Sequence, residues 1–239
     1  MSSATEEATL PRQLVVGCGH FRMPGWLHAD LAPTPATDLC FDLQVAPWPL
    51  DDNSMDVIYA SHVLEHLLDF RTFFAEAHRV LAPAGTLQVR VPYGLHAAAH
   101  WDVTHVTYWV TERFAFVQAG YGRQIGNPQN EAWPYPFQVD MIEQRLSRQL
   151  TRLLRWKWVR RRLIPYVGMV QGGIEELFVH LTPLKTPDAV QRFAALNPGT
   201  HMPCRYVAWA HNFHGRALAP GEQPALVVLA GGVTANGYN

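Results

Sequence analysis

The run Leu14-Val15-Val16-Gly17-Cys18-Gly19 constrains this chain more than any other stretch. An apolar run ending in Gly-x-Gly reads as a buried strand that turns sharply at its carboxyl end, and its two glycines let a ligand approach the backbone. An acid, Asp30, comes at the end of the next apolar stretch, Trp26–Leu31, where a carboxylate can accept from ribose hydroxyls. Together these residues read as a nucleoside-binding turn. A nicotinamide dinucleotide fits poorly, because its fingerprint wants a third glycine where Arg22 stands. Only Gly19 to Gly25 separate the turn from the next strand, which leaves room for one helical turn at most. The competing reading of Gly-x-Gly alone is a tight strand–loop turn without a ligand.

Further strands are expected near Thr37–Phe41, at Val57–Ala60 and at Thr86–Val91, each an apolar run bounded by turn residues. Between the last two, Asp69 is placed as an N-cap. Phe70, Phe73, Phe74, Ala77, Val80 and Leu81 then repeat at helical spacing and form one buried stripe, with Gly85 suited to the exit turn. Alternating strands and helices imply an α/β chain with a doubly wound, mainly parallel sheet. Ligands of such sheets lie beyond the carboxyl ends of the strands.

Several short motifs follow in order. Trp48-Pro49-Leu50 runs into Ser54-Met55-Asp56, Ser61-His62-Val63-Leu64-Glu65-His66 follows a strand, and Leu81-Ala82-Pro83-Ala84-Gly85 closes the helix. With the Gly-Cys-Gly turn, this order over about residues 13–118 resembles the class I S-adenosylmethionine-dependent methyltransferases, in particular the type 11 group. The resemblance implies a Rossmann-like fold and S-adenosylmethionine as cofactor. It places Gly17, Cys18 and Gly19 under the methionine part and Asp30, with Leu31 beside it, at the ribose. It places Asp42 and Leu43 around the adenine, and Ser61 and His62 along the other side of the cofactor. Many relatives carry an acid or amide where Val15 stands. Cys18 is read as a packing choice rather than a reactive thiol.

The segment after Pro92 holds the candidates for chemistry. Tyr93, His96, His100 and Tyr108 are expected to contact the acceptor, and a helix is expected over Val110–Ala119. A sulfonium methyl is strongly electrophilic, so transfer needs a nucleophile held close and in line. A hydroxyl or amine must also lose a proton, for which His105 oriented by Asp102 is the candidate general base. In the competing reading, Asp102 and His105 peg this loop to the helix start.

The chain's 239 residues are 48% hydrophobic and 16% charged with net charge -1, which suits one globular domain and supplies no global field for nucleic acid. No stretch is apolar enough to span a bilayer, and Met1–Thr9 is polar, without the basic start of a signal peptide. Cys18, Cys40 and Cys204 are odd in number and widely spaced, which favours a reducing compartment and a cytoplasmic protein. His62 and His66 stand at i, i+4, but no adjacent Cys or carboxylate set completes a site, so no metal is expected.

Gly120–Pro136 reads as an ordered loop or lid. Gln138–Leu163 reads as a basic amphipathic helix holding eight of the 19 Lys and Arg residues: Arg145, Arg148, Arg152, Arg155, Lys157, Arg160, Arg161 and Arg162. Leu146, Leu150, Leu153, Leu154, Trp156 and Trp158 supply its apolar side. Three uses compete: a solvated face, peripheral contact with an anionic membrane through Arg145–Arg162, or, less favoured, nucleic-acid phosphates. The resemblance to type 11 relatives implies a late sheet strand over Gly172–Leu184, able to run antiparallel, and further strands are expected at Tyr206–Phe213 and Ala225–Ala230. The whole is one domain: a cofactor core over residues 10–120, an insertion over 121–171 and a C-terminal part from 172. The expected activity is methyl transfer to a hydroxyl of a sugar, glycolipid or similar small acceptor. The alternatives are N- or O-methylation of a small metabolite or nucleobase, and a non-catalytic cofactor-binding module.

Overall fold

Strand β1 (Gln13–Val16) buries Leu14, Val15 and Val16 and lies at the centre of its sheet, as an apolar run before a tight turn should. In the computed structural model, which describes residues 11–119, 133–163, 166–167, 171–196 and 202–207, it pairs in parallel with β2 (Leu27–Asp30) and β4 (Met55–Ser61). Outside these lie β3 (Leu39–Cys40) and β5 (Leu81–Pro92), then β7 (Ile174–Pro183), β6 (Phe137–Leu146) and β8 (Cys204–Val207). The sheet order is β3-β2-β1-β4-β5-β7-β6-β8. Its first five strands run 3-2-1-4-5, the doubly wound order with its switch point between β1 and β4. β7 runs antiparallel to both β5 and β6. β6 is therefore parallel to β5, and both end at the ligand-binding edge.

Helix α1 (Phe70–Val80) crosses from β4 to β5, and the Asp69 carboxylate accepts the Thr72 amide at 3.1 Å as its cap. The apolar stripe packs as expected. Phe73, Phe74, Ala77 and Val80 are fully buried against Leu14, Ile58 and Leu87, and Trp109, Phe114 and Phe137 close the far side. Lys185 donates to the His78 and Arg79 carbonyls at the end of α1, the favoured place for a cation. The described crossovers from β1 to β2, β2 to β3 and β3 to β4 carry no helix.

Three expectations need correction. Residues 138–146 are not helical. They form most of β6, because Val139, Ile142 and Leu146 are buried and the charged residues between them pair across strands, Glu143 with Arg205 and Arg145 with Glu175 and Glu176. The helical period starts only at Ser147, which caps α2 (Arg148–Leu154), and α3 (Lys157–Leu163) follows as a separate helix. The segment after Val110 is a 3-10 helix, Thr111–Val117, packed by Phe114 and Phe116 against Trp109, Phe70 and Phe74. The last described β strand begins at Cys204, two residues before the expected Tyr206, and residues 120–132 of the expected loop Gly120–Pro136, residues 208–213 of that strand and the expected strand over 225–230 lie outside the described residues. A fourth helix, α4 (Pro187–Leu196), follows β7. No described helix is long and apolar enough to cross a membrane.

Two histidines sit in the interior as neutral rings. Burial, then the charge of Lys185, pulls His78 down to about 4, and burial, then Arg205, does the same to His180. An unfolded chain titrates these rings near ~6.5. Both folded values lie below that, so their contribution to stability is full above pH 6.5 and is lost as pH falls toward 4. Carboxylates such as Glu176, held at about 2, add their own loss only below about 4.5. Urea midpoints are therefore expected to fall between pH 6.5 and 4.5, and less steeply in His180→Gln. An identical slope in that variant would remove His180 from the account.

Candidate active site

The β1 turn is built on two left-handed glycines, Gly17 at φ 63° and Gly19 at φ 54°. A Cβ on Gly17 would lie 2.3 Å from Val63 Cγ2, whereas one on Gly19 would meet nothing within 4 Å, so the open side of the turn is at Gly19. Asp30 ends β2. It accepts the Gly19 amide at 2.7 Å through Oδ2 and the Ala32 amide at 3.2 Å through Oδ1. An open backbone cradle beside a carboxylate fits a nucleoside cofactor.

The other cofactor candidates spread along the same edge. Asp42 follows β3 and accepts the Gln44 amide at 2.8 Å, and Ser61 and His62 end β4. Cys18 and Leu43 turn into the packing, Cys18 toward Thr37 with burial raising its thiol pKa, and Leu43 against Trp48. Leu31 is exposed. Val15 is buried with Tyr59 and Phe178.

Beside this edge, a cavity of about 510 Å³ opens where β4, β5, β6 and β7 meet. The register sets Pro92 opposite Glu176 and Arg145 opposite the same residue. Glu176 accepts from Arg90 and pairs with Arg145 at 3.1 Å and His62 at 3.2 Å. Burial would raise its carboxyl, but the bond from His62 and the charges of Arg90 and Arg145 win and hold it at about 2. Burial would deprotonate His62, but bonds to Glu176 and Glu65 raise it to about 9. His62 also carries φ 55°, a left-handed conformation that costs a non-glycine residue and recurs at functional sites.

The loop after Pro92 forms one wall. His96 accepts the Ala98 amide at 3.1 Å and lines the cavity, and Trp101 stands at its mouth, 75% exposed. His100 bonds the Gly94 carbonyl and stacks on Tyr108 at 4.6 Å. Tyr93 is buried and bridges to Trp109, away from the lining. Asp102 spends Oδ1 on the amide and hydroxyl of Thr104, at 2.9 and 2.7 Å. Its Oδ2 is 3.9 Å from His105 Nε2, too far for a hydrogen bond. His105 is oriented instead by the Ala99 carbonyl, which accepts Nδ1–H at 3.0 Å. Asp102 and His105 both line the cavity, and Asp102 pegs the loop. Glu65, Arg90, Glu175 and Glu176 carry no local signal of a site in the sequence, and His66 stands out there only at i, i+4 from His62, because only strand register and the returning loop bring these residues together.

Residues 21–89 match a family model described as a methyltransferase domain, a span that includes Asp30, Asp42, His62 and the Leu-Glu-His stretch. No curated protein sequence matches the chain. Among solved structures, the chain is similar to a SAM-dependent methyltransferase from Archaeoglobus fulgidus, with 12% identity over 73% of this chain and 88% of that one and a TM-score of 0.47. An S-adenosylmethionine-dependent methyltransferase from Mesorhizobium loti gives 17% identity over 72% and 90%, with a TM-score of 0.39. The CMeT domain of the citrinin polyketide synthase gives 17% identity over 34% of this chain and 29% of that one, with a TM-score of 0.29.

Proposed function

We propose that this chain, whose residues 21–89 match a methyltransferase-domain model, is a class I S-adenosylmethionine-dependent methyltransferase of the type 11 group and that it methylates a hydroxyl on a sugar, glycolipid or similar polyhydroxyl acceptor. S-adenosylmethionine, when bound, supplies an electrophilic methyl group. In this reading Gly17, Gly19, Asp30 and Asp42 bind the cofactor, and the cavity beside His62 receives the acceptor.

One observation carries the choice of acceptor: the cations at the cavity wall are already paired. Arg145 and a protonated His62 line the cavity and, with Arg90 behind them, are held by Glu65, Glu175 and Glu176, while Asp102, the fourth carboxylate of the lining, is bonded to Thr104. A wall of this kind offers a phosphate no spare cation, and it has many polar atoms to bond hydroxyls. Trp101 at the mouth supplies an apolar face on which a sugar ring can rest. The acceptor hydroxyl loses its proton next to Glu65, His66 and His105, which line the cavity. A screen of neutral sugars, phosphorylated metabolites, amines and nucleobases with labelled cofactor tests the reading. Transfer to neutral polyhydroxyl compounds is expected, and label confined to amines or nucleobases would overturn it.

The lipid-linked form of this reading draws on α2 and α3. They leave the sheet just after Arg145, which lines the cavity. Leu153, Trp156 and Trp158 are exposed there among Arg152, Arg155, Lys157, Arg161 and Arg162. Such a surface suits anionic lipid, each basic residue adding about 1 kcal/mol at low salt. The protein is expected to sediment with anionic vesicles and not neutral ones, and Trp156→Ala with Trp158→Ala to weaken this at every salt concentration. Absence from anionic vesicles would leave a soluble acceptor.

A further inference from the structure

We infer that Glu65, His66 and His105 form a binding site for one divalent transition-metal cation, with its open side toward the acceptor cavity. The inference rests on reading that cavity as the acceptor site only for its role, not for its chemistry. One ligand atom from each of the three residues lies within 4.8 Å of the others. Some point is therefore within about 2.8 Å of all three, and bonds of ~2.0–2.2 Å require each to close by well under 1 Å.

The hydrogen bonds around the cluster settle which ligand atoms remain available. Thr104 donates its hydroxyl proton to Asp102, so Thr104 Oγ1 and its carbonyl, at 3.0 and 3.2 Å, can only accept from His66 Nδ1. The Ala99 carbonyl likewise accepts from His105 Nδ1. Each ring thus has Nδ1 engaged, which leaves Nε2 as the ring atom able to ligate an ion. Metal-binding histidines are held by the same kind of outer bond. Glu65 is 1% exposed and uses Oε1 for His62, while its Oε2 is buried with no hydrogen-bond partner. The two rings meet edge to face at 4.8 Å. A buried carboxylate oxygen without a hydrogen-bond partner is costly. A cation held by all three residues satisfies it.

Two imidazoles and one carboxylate suit Zn²⁺ and its first-row neighbours rather than Mg²⁺ or Ca²⁺, which prefer oxygen. Three protein ligands leave a position for an outside oxygen, as in catalytic rather than structural sites. That oxygen is the acceptor hydroxyl, whose acidity the cation would raise, its proton leaving to water in the open cavity.

The test is a titration of chelator-treated full-length protein with Co²⁺, read by visible absorption, and with Zn²⁺, read by calorimetry. One equivalent is expected to bind, with affinity falling at least tenfold in each of Glu65→Gln, His66→Ala and His105→Ala. Circular dichroism establishes that each variant is folded, and His66→Gln and His105→Asn stand in for any that is not. No binding by the wild type, or binding unchanged in both histidine variants, overturns the site. Calorimetry with S-adenosylhomocysteine on the same samples separates the two readings: cofactor binding without metal binding sinks this inference alone, and the reverse sinks the methyltransferase reading alone.

Discussion

Replacing Glu176 with Ala is expected to cost about 3–5 kcal/mol of folding stability, the penalty for removing one partner of a buried charge cluster. The side chains of Arg90 and Glu176 are 5% and 13% exposed, and Arg145 and His62 converge on the same carboxylate. The variant removes the carboxylate that Arg90, Arg145 and His62 share, leaving Arg145 to Glu175 alone. For a chain of this size the unfolding midpoint should drop by roughly 10 °C, at about 2–4 °C per kcal/mol. Glu176→Gln, which keeps the shape and loses the charge, should fall between wild type and Ala. Urea unfolding measures all three. A loss under 1 kcal/mol in Glu176→Ala would mean that solvent already screens the cluster, and the argument for the acceptor from paired wall cations would weaken with it.

Turnover in His105→Ala should fall about a hundredfold or more, the usual scale for losing a positioned group that handles the acceptor proton. S-adenosylhomocysteine affinity should stay within a factor of about two, because His105 lies on the acceptor side, beyond the β4 end. Asp102→Asn should have a smaller effect, since its bonds go to Thr104 and it stands 3.9 Å from the ring. Equal losses in the two variants would restore Asp102 as the group that orients His105. Normal turnover in His105→Ala would leave the histidine as a loop peg.

The nucleoside edge was legible because each of its signals is local. A Gly-x-Gly at a strand end, an acid ending the next strand and a capping Asp69 before a 3.6-period stripe are decided within a few residues. The strand β7 was legible only through the resemblance to type 11 relatives, with its direction left open. Arg145 was not legible. Arg148, Arg152 and Arg155 follow it and its spacing suits a helix, but its partners Glu175 and Glu176 come from a strand thirty residues on. Pairing across β6 and β7 overrides a weak helical preference. The Glu65, His66 and His105 cluster is hidden in the same way. Leu-Glu-His and Thr-His-Val are each visible, but only the return of the loop after the 3-10 turn Ala97–Ala99 sets the His66 and His105 rings edge to face.

The central claim is that the open turn from Gly17 to Asp30 binds a nucleoside cofactor. Calorimetry with S-adenosylhomocysteine tests it most directly. The wild type should bind one equivalent, and Asp30→Ala should bind about 1.5–3 kcal/mol more weakly, the cost of losing charge-assisted bonds to the ribose together with the bond to the Gly19 amide. No binding by the folded wild type, or equal affinity in Asp30→Ala, would contradict the account.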